Sequence, residues 1–258
     1  MASFFKNILK RIGDSIFINY KCMCCGRETG NESLICDKCL SKITLINKSI
    51  CNKCGSLLEN MEAVCINCYD KKYKFDTHRS CIIYDYLSSR PVKLLKYQKR
   101  KYLAEPIAKI MYAMHKDVVD NSDIIVFVPM TKTKTEKREY NHTQEIAKHL
   151  SKMSNVKLVD ALVKKFDTAE QVSLNFKERT KNLKGSFDIN SNNAGMIKGK
   201  NVLLVDDVFT TGSTSNECTK ILLKAKAHSV NVLTFLKTDP SAKEEELLTW
   251  ILDNGENH

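Results

Sequence analysis

Eight of the cysteines between Cys22 and Cys68 constrain this chain more than any other feature, because they form four C-x-x-C pairs with a fixed repeat. The pairs are Cys22/Cys25, Cys36/Cys39, Cys51/Cys54 and Cys65/Cys68, and adding 29 to the positions of the first two gives the last two. The segment is an internal duplication of C-x2-C-x10-C-x2-C, with Gly26 and Gly55 following the second cysteine of each copy. Redox or disulfide pairs rarely come four at a time at one offset. Two thiolates three positions apart on a tight turn converge on one centre, and two such turns supply the four soft ligands that Zn2+ takes tetrahedrally. Few large apolar residues lie here, so metal must supply folding energy that a core cannot. Two structural zinc sites are expected. Sequential sharing (Cys22, Cys25, Cys36, Cys39, then Cys51, Cys54, Cys65, Cys68) is preferred, with a cross-braced arrangement as the alternative. Cys24 is a spare thiol able to compete for the metal. Four thiolates leave no position for water, which gives the module a scaffolding or partner-binding role rather than a catalytic one. Cys81 and Cys218 stand alone in apolar or helical contexts and read as core residues.

The 258 residues accommodate one α/β domain plus a small satellite. An apolar share of 43% is that of a globular chain, and 41 basic against 30 acidic residues give a net charge of +11, which favours polyanionic partners. No apolar run approaches a membrane span, and the amphipathic N-terminus lacks the features of a signal peptide, so a cytoplasmic location is expected. A helical lead-in over 1–20 precedes the double zinc ribbon at 21–70, and Tyr69 to Thr77 reads as a charged linker. The main domain is expected over 78–237. It opens on a strand-like Arg79 to Tyr86, and then apolar runs at Asp123 to Pro129, Val156 to Leu162, Asn201 to Val205 and Val230 to Phe235 alternate with helical spacing. That alternation predicts a doubly wound, mostly parallel sheet with ligands at the carboxyl ends of its strands. The polar stretch Ser186 to Lys200 reads as a loop or hairpin, and 238–258 as an acidic C-terminal helix.

The most informative run is Val205-Asp-Asp-Val-Phe-Thr-Thr-Gly-Ser-Thr214. A buried strand ends in two carboxylates, enters a hydroxyl-rich turn with one glycine, and opens a helix. Unsatisfied backbone N–H groups at such a helix start make an anion site. Gly212 permits close backbone approach, and Thr210, Thr211, Ser213 and Thr214 add hydroxyls suited to a terminal phosphate. Two aspartates beside a phosphate cradle require a ligand that offers hydroxyl donors or a divalent metal there. Ribose 5-phosphate offers a vicinal diol, and Mg2+-pyrophosphate at its anomeric carbon makes it 5-phosphoribosyl-1-pyrophosphate (PRPP). Neither G-x-x-x-x-G-K-[ST] nor G-x-G-x-x-G is present.

This run resembles the PRPP-binding motif of type I phosphoribosyltransferases, and the chain from about residue 20 to residue 236 resembles the ComF (ComFC) family. Three further stretches carry the resemblance: Leu94-Leu95-Lys96-Tyr97; Val128-Pro129 followed by Arg138-Glu-Tyr-Asn141; and Thr168-x-x-Gln171-x-x-Leu174 followed by Arg179, Asn182 and Phe187. The family's Arg-Gly-Phe-Asn-Gln is altered here, with Glu139, Tyr140 and His142 replacing Gly, Phe and Gln. The resemblance implies that Asp206 and Asp207 hold the ribose hydroxyls directly or through Mg2+. It implies that Val208 and Thr210 to Thr214 hold the 5-phosphate, and that a loop after Pro129 with Lys132 and Lys134 faces the pyrophosphate. It also implies a part in natural transformation, acting on incoming single-stranded DNA, with a competence helicase or recombination mediator as partner. Lys96, Lys99, Arg100, Lys137, Arg138 and Arg179, interleaved with tyrosines, suit a single strand held without sequence preference. An active phosphoribosyltransferase with an unidentified acceptor, for which Gln171, Arg179 and Asn182 are candidates, and a PRPP sensor without transfer chemistry are the alternative readings.

Overall fold

The computed structural model describes residues 21–29, 33–47, 49–58, 63–70, 73–167 and 183–239. The N-terminal lead-in, the run from Thr168 to Asn182 with Gln171 and Arg179, and the acidic tail from Pro240 lie outside them.

The duplication is visible atom by atom. Short helices α1 (Asp37–Leu40) and α2 (Ile66–Asp70) begin 29 positions apart, as do the bridges Lys21 to Glu28 and Ile50 to Leu57. Each knuckle closes in the same way, with Gly26 N–H donating to Cys22 O at 2.8 Å and Gly55 N–H to Cys51 O at 2.9 Å. Gly55 has φ +65°, and a Cβ there would stand 2.7 Å from the His78 carbonyl oxygen, so the turn admits no side chain.

The main domain runs β1 (His78–Ile83), α3 (Tyr86–Tyr97), α4 (Ala104–Met114), α5 (Lys116–Asp120), β2 (Ile124–Phe127), α6 (Lys132–Arg138), α7 (His142–Ser154), β3 (Lys157–Leu158), β4 (Leu162–Lys164), β5 (Phe187–Ile189), β6 (Asn201–Phe209), α8 (Ser213–Lys224) and β7 (Ser229–Lys237). The five-stranded sheet has the order β1-β7-β6-β2-β3, and every pairing is parallel. Both faces are covered, which is why the strands read as continuous apolar runs. Ile125, Phe127, Leu203, Val205, Leu233 and Phe235 join one core with α4 and α7. The alternate residues Ile124, Val126, Val202, Leu204, Val230 and Val232 join a second core with Cys218 and Leu222 of α8.

Three expectations are corrected. The single strand expected over Val156 to Leu162 is two short ones: β3 belongs to the main sheet, while β4 pairs antiparallel with β5 in a separate hairpin. The loop expected to carry Lys132 and Lys134 is helical, because Thr131 caps α6 by accepting from the Lys134 N–H at 3.4 Å. The stretch read as a charged linker is partly interior: Phe75 is fully buried and stacks on Tyr73 with 4.7 Å between ring centroids. Its charge pattern concealed a β-like alternation in which the aromatics face inward.

The ribbons have no core of their own. Met23, Ile35 and Ile43 enter the first core of the main domain, while Cys51, Cys54 and Cys65 line the second. Between the two copies, the chain pairs with the outer edge of β1: Ile46 N–H donates to Cys81 O and Ile83 N–H to Thr44 O, both at 2.9 Å. Cys81 and Cys218 are fully buried, as their contexts suggested.

Candidate functional site

The four sulfurs of Cys22, Cys25, Cys36 and Cys39 lie within 4.8 Å of one another, and so do those of Cys51, Cys54, Cys65 and Cys68. Tetrahedral zinc bound at about 2.3 Å would place sulfurs roughly 3.8 Å apart. Cys25 and Cys36 stand at 3.8 Å and Cys54 and Cys65 at 3.6 Å. The donor sets fit two closed structural zinc sites with sequential sharing. Backbone N–H groups support the thiolates: Cys36 N–H donates to Cys22 Sγ at 3.4 Å, and Cys65 N–H to Cys51 Sγ at 3.3 Å. Cys24 stands outside the four-sulfur group. It is buried, and its hydrogen bond to Cys22 raises its pKa, with burial adding to that.

The second site is built at the end of β6. Asp206 and Asp207 are the sixth and seventh residues of this strand, both buried. Asp207 Oδ1 accepts from the Val208 N–H at 2.7 Å, and Asp206 Oδ1 from the Asp207 N–H at 2.9 Å. The Lys96 ammonium, near the end of α3, forms an ion pair with Asp207 Oδ2. His142 Nε2, from the first residue of α7, stands 3.3 Å from the same oxygen. Burial opposes charge on Asp207, but Lys96 and then His142 outweigh it and hold its carboxyl well below the usual range. Burial, and then the charge of Asp207, push Asp206 up to about 8. Burial keeps His142 neutral against the pull of Asp207. At neutral pH the pair therefore carries one proton and one negative charge, answered by one ammonium.

The hydroxyl-rich turn follows directly. Gly212, at φ +77°, is the cap residue of α8 and supplies no side-chain hydrogen bond; the helix opens with backbone N–H groups at its positive end, and that of Ser213 donates to Thr211 Oγ1 at 3.4 Å. Thr211 Oγ1 and Ser213 Oγ are 2.9 Å apart across it. The segment leaving the second ribbon holds this loop from beneath. Tyr73 Oη donates to Thr211 O at 2.9 Å, and Lys74 N–H donates to Asn216 Oδ1 at 2.7 Å. A Cβ on Gly212 would meet the Phe209 ring at 2.5 Å and the Tyr73 ring at 2.9 Å. His78, buried in β1, stacks on Phe209 with 3.9 Å between ring centroids, and its Nδ1–H donates to the Cys54 carbonyl oxygen at 2.7 Å. The loop between β6 and α8 and the second ribbon thus share one wall.

The altered Arg-Glu-Tyr-Asn-His stretch is a joint. Asn141 caps α7 by accepting from Thr143 N–H at 3.0 Å, and its Nδ2 donates to Val128 O at 3.3 Å, tying the helix to the end of β2. Tyr140 Oη donates to Leu95 O at 2.5 Å, which fixes α3 beside the aspartates. Glu139 occupies φ +69°, where the family's glycine sits without strain. Glu139→Gly is expected to stabilise the protein by about 1 kcal/mol, read as a higher midpoint in thermal unfolding. The Lys99 ion pair lost with it is well exposed and contributes little.

Of the other basic candidates, Lys132 is exposed on α6, while Lys134 stands 3.9 Å from Asp167. Asp167 was not foreseen. It accepts from Thr131 Oγ1 at 2.7 Å and Thr133 Oγ1 at 3.0 Å, and so anchors the chain to α6 immediately before Thr168. Lys99, Arg100 and Lys137 are exposed, and Arg138 lies over the Tyr97 ring at 4.9 Å. Among the described surface candidates, Lys96 alone turns inward. His142 and Tyr73 were missed as well; His142 was flagged only as a departure from a motif.

Known proteins agree with this two-part construction. The family model for a double zinc ribbon domain matches residues 14–81, and that for a phosphoribosyl transferase domain matches 140–255. Competence protein F of Haemophilus influenzae is 28% identical over 225 residues, covering 84% of this chain and 96% of its own. The DNA utilization protein YhgH of Escherichia coli is 27% identical over 212 residues, covering 79% and 90%. Competence protein ComFC of Bacillus subtilis is 25% identical over 217 residues, covering 80% and 85%. With two four-cysteine groups, a parallel sheet, an acidic strand end and these relatives along most of its length, the chain is similar to competence protein F and ComFC, a double zinc ribbon joined to a phosphoribosyltransferase domain.

Proposed function

We propose that this chain binds PRPP, or a phosphoribosyl ligand of the same shape, on the loop between β6 and α8, and takes part in DNA uptake by holding single-stranded DNA. The observation that carries the first half is the buried carboxyl pair directly followed by a hydroxyl-lined turn and a helix start with glycine at its cap. A vicinal diol can donate to the carboxyl oxygens while a 5-phosphate accepts from the turn. The names of the relatives, competence proteins and DNA utilization proteins, support the cellular role. Among the described residues no helix is long and apolar enough to cross a membrane.

For DNA, the supporting surface runs along α3 and into α6. Tyr86, Tyr97 and Tyr102 are half or more exposed, with Lys93 over Tyr86 at 5.7 Å, Arg138 over Tyr97 and Arg100 beside the Tyr102 hydroxyl at 3.5 Å. Rings that offer faces to stacked bases, each beside a cation for the backbone, suit single strands of any sequence.

Calorimetric titration of PRPP with Mg2+, and of ribose 5-phosphate, is expected to show micromolar binding to the zinc-replete protein and none to Asp206→Asn/Asp207→Asn. No binding by folded wild type would sink the phosphoribosyl reading. Fluorescence anisotropy with oligo-dT is expected to show salt-dependent binding that Tyr97→Ala/Arg138→Ala weakens about tenfold or more. Equal affinity in this variant would remove the DNA surface from α3 and α6. Pyrophosphate release on adding candidate acceptors separates a transferase from a sensor.

A further inference from the structure

A pair of adjacent aspartates at a strand end invites a divalent ion, but Asp207 is already occupied. Asp207 Oδ1 accepts from the Val208 N–H, and Oδ2 is approached by the Lys96 ammonium and by His142 Nε2 at 3.3 Å. Both oxygens of Asp207 are engaged by groups from three separate segments, at positions 96, 142 and 208. The ammonium is also held in place. Its side chain is only 21% exposed, and the preceding residue, Leu95, is fully buried with its carbonyl accepting from Tyr140 Oη. A divalent ion needs several hard oxygen ligands at short range, and it would here be brought within contact distance of a fixed ammonium. The groups around Asp207 do not fit a metal on that carboxylate.

We propose that Lys96 is the built-in counter-cation of this site: its ammonium takes the place beside Asp207 that a divalent ion would occupy, so that the carboxyl pair receives the ribose of its ligand without metal. Any Mg2+ then arrives on the pyrophosphate and not through the protein. The inference rests on the phosphoribosyl reading for its ligand but not for its metal exclusion, and the two are tested separately. It also sets Lys96 apart from the DNA surface: it is a positioning residue for Asp207, whose orientation it fixes by ion pairing.

The first measurement uses ribose 5-phosphate, which has no pyrophosphate to carry a metal. Wild-type protein is expected to bind it with the same affinity, within about twofold, in Mg2+ and in a magnesium-free buffer with the zinc sites intact. Lys96→Met, which keeps the stem and removes the charge, is expected to weaken metal-free binding at least about tenfold and to regain affinity when Mg2+ is added. Wild-type binding that requires Mg2+ would overturn the proposal. The second measurement needs no ligand: Mn2+ binding followed by electron paramagnetic resonance. Lys96→Met is expected to take up Mn2+ at least about tenfold more tightly than wild type, and Lys96→Met/Asp207→Asn is expected to lose that uptake. Equal uptake by wild type and Lys96→Met overturns the proposal even if ribose 5-phosphate binds to neither, a result that would separately sink the phosphoribosyl reading. Lys96→Arg, which keeps the charge, is the control for folding and is expected to behave as wild type towards Mn2+.

Discussion

Replacing Asp207 with alanine is expected to cost about 3 kcal/mol of folding stability and to abolish binding of ribose 5-phosphate. Breaking a buried ion pair by removing one partner leaves the other charge without compensation, and Lys96 cannot simply swing into water while its helix is tied to Tyr140. His142 loses its only described partner in the same step. The pH dependence has a definite sign. The folded carboxyl of Asp207 is held below its unfolded value by Lys96 and His142 against burial, so its contribution is present above about pH 4 and fades as pH falls through the folded value. Chemical denaturation of wild type and Asp207→Ala should therefore differ at pH 7 and converge in acid. A constant difference at all pH values would mean that the lost contact is not the ion pair.

Asp206→Asn is expected to do the opposite, raising stability by roughly 2 kcal/mol at pH 8 while also impairing ligand binding. Burial and the neighbouring charge lift this carboxyl to about 8 in the folded protein, against an unfolded value near 4. The native state keeps a proton that the unfolded chain releases, so stability falls as pH rises from about 4 to about 8 and then levels. An amide keeps the acceptor for the Asp207 N–H and never ionises. The gain over wild type should vanish near pH 4 and grow steadily towards pH 8. A variant less stable than wild type at pH 8 would show that Asp206 is accommodated as a carboxylate. Together the two substitutions separate a residue that supports the fold from one that strains it for the sake of a site.

What the sequence reveals here follows the range of the interaction. The knuckles and the Val205 to Thr214 run were legible because their chemistry lies in short, fixed spacings: a C-x-x-C turn, a strand end, a helix start. The sheet was legible because strands buried on both faces are apolar throughout. The ion pair was not, because Lys96, His142 and Asp207 come from three elements and meet only after the sheet has assembled. Among the 41 basic residues nothing local marks one lysine as interior. The matched Leu-Leu-Lys-Tyr stretch and the Gln-to-His departure were the available signals, and each pointed at the right residue without its partner. Tyr73 and Phe75 were hidden by the charged residues around them, although two aromatics spaced by two positions carry the period of a strand with one buried face.

The pairing of residues 44–46 with β1 bears on the order in which this protein can be completed during synthesis. The inner neighbour of β1 is β7, so His78 waits for Val232, 154 positions later, before its side of the sheet closes. Until then the only strand partner available to β1 among the described residues is the segment between the two ribbons, made before it in the chain. A ribosome will have released both cysteine clusters well before it reaches β7, so zinc can be loaded, and the first edge of the sheet laid down, before the loop between β6 and α8 has been translated. Metal supply would then set the timing of folding as well as the stability of its product.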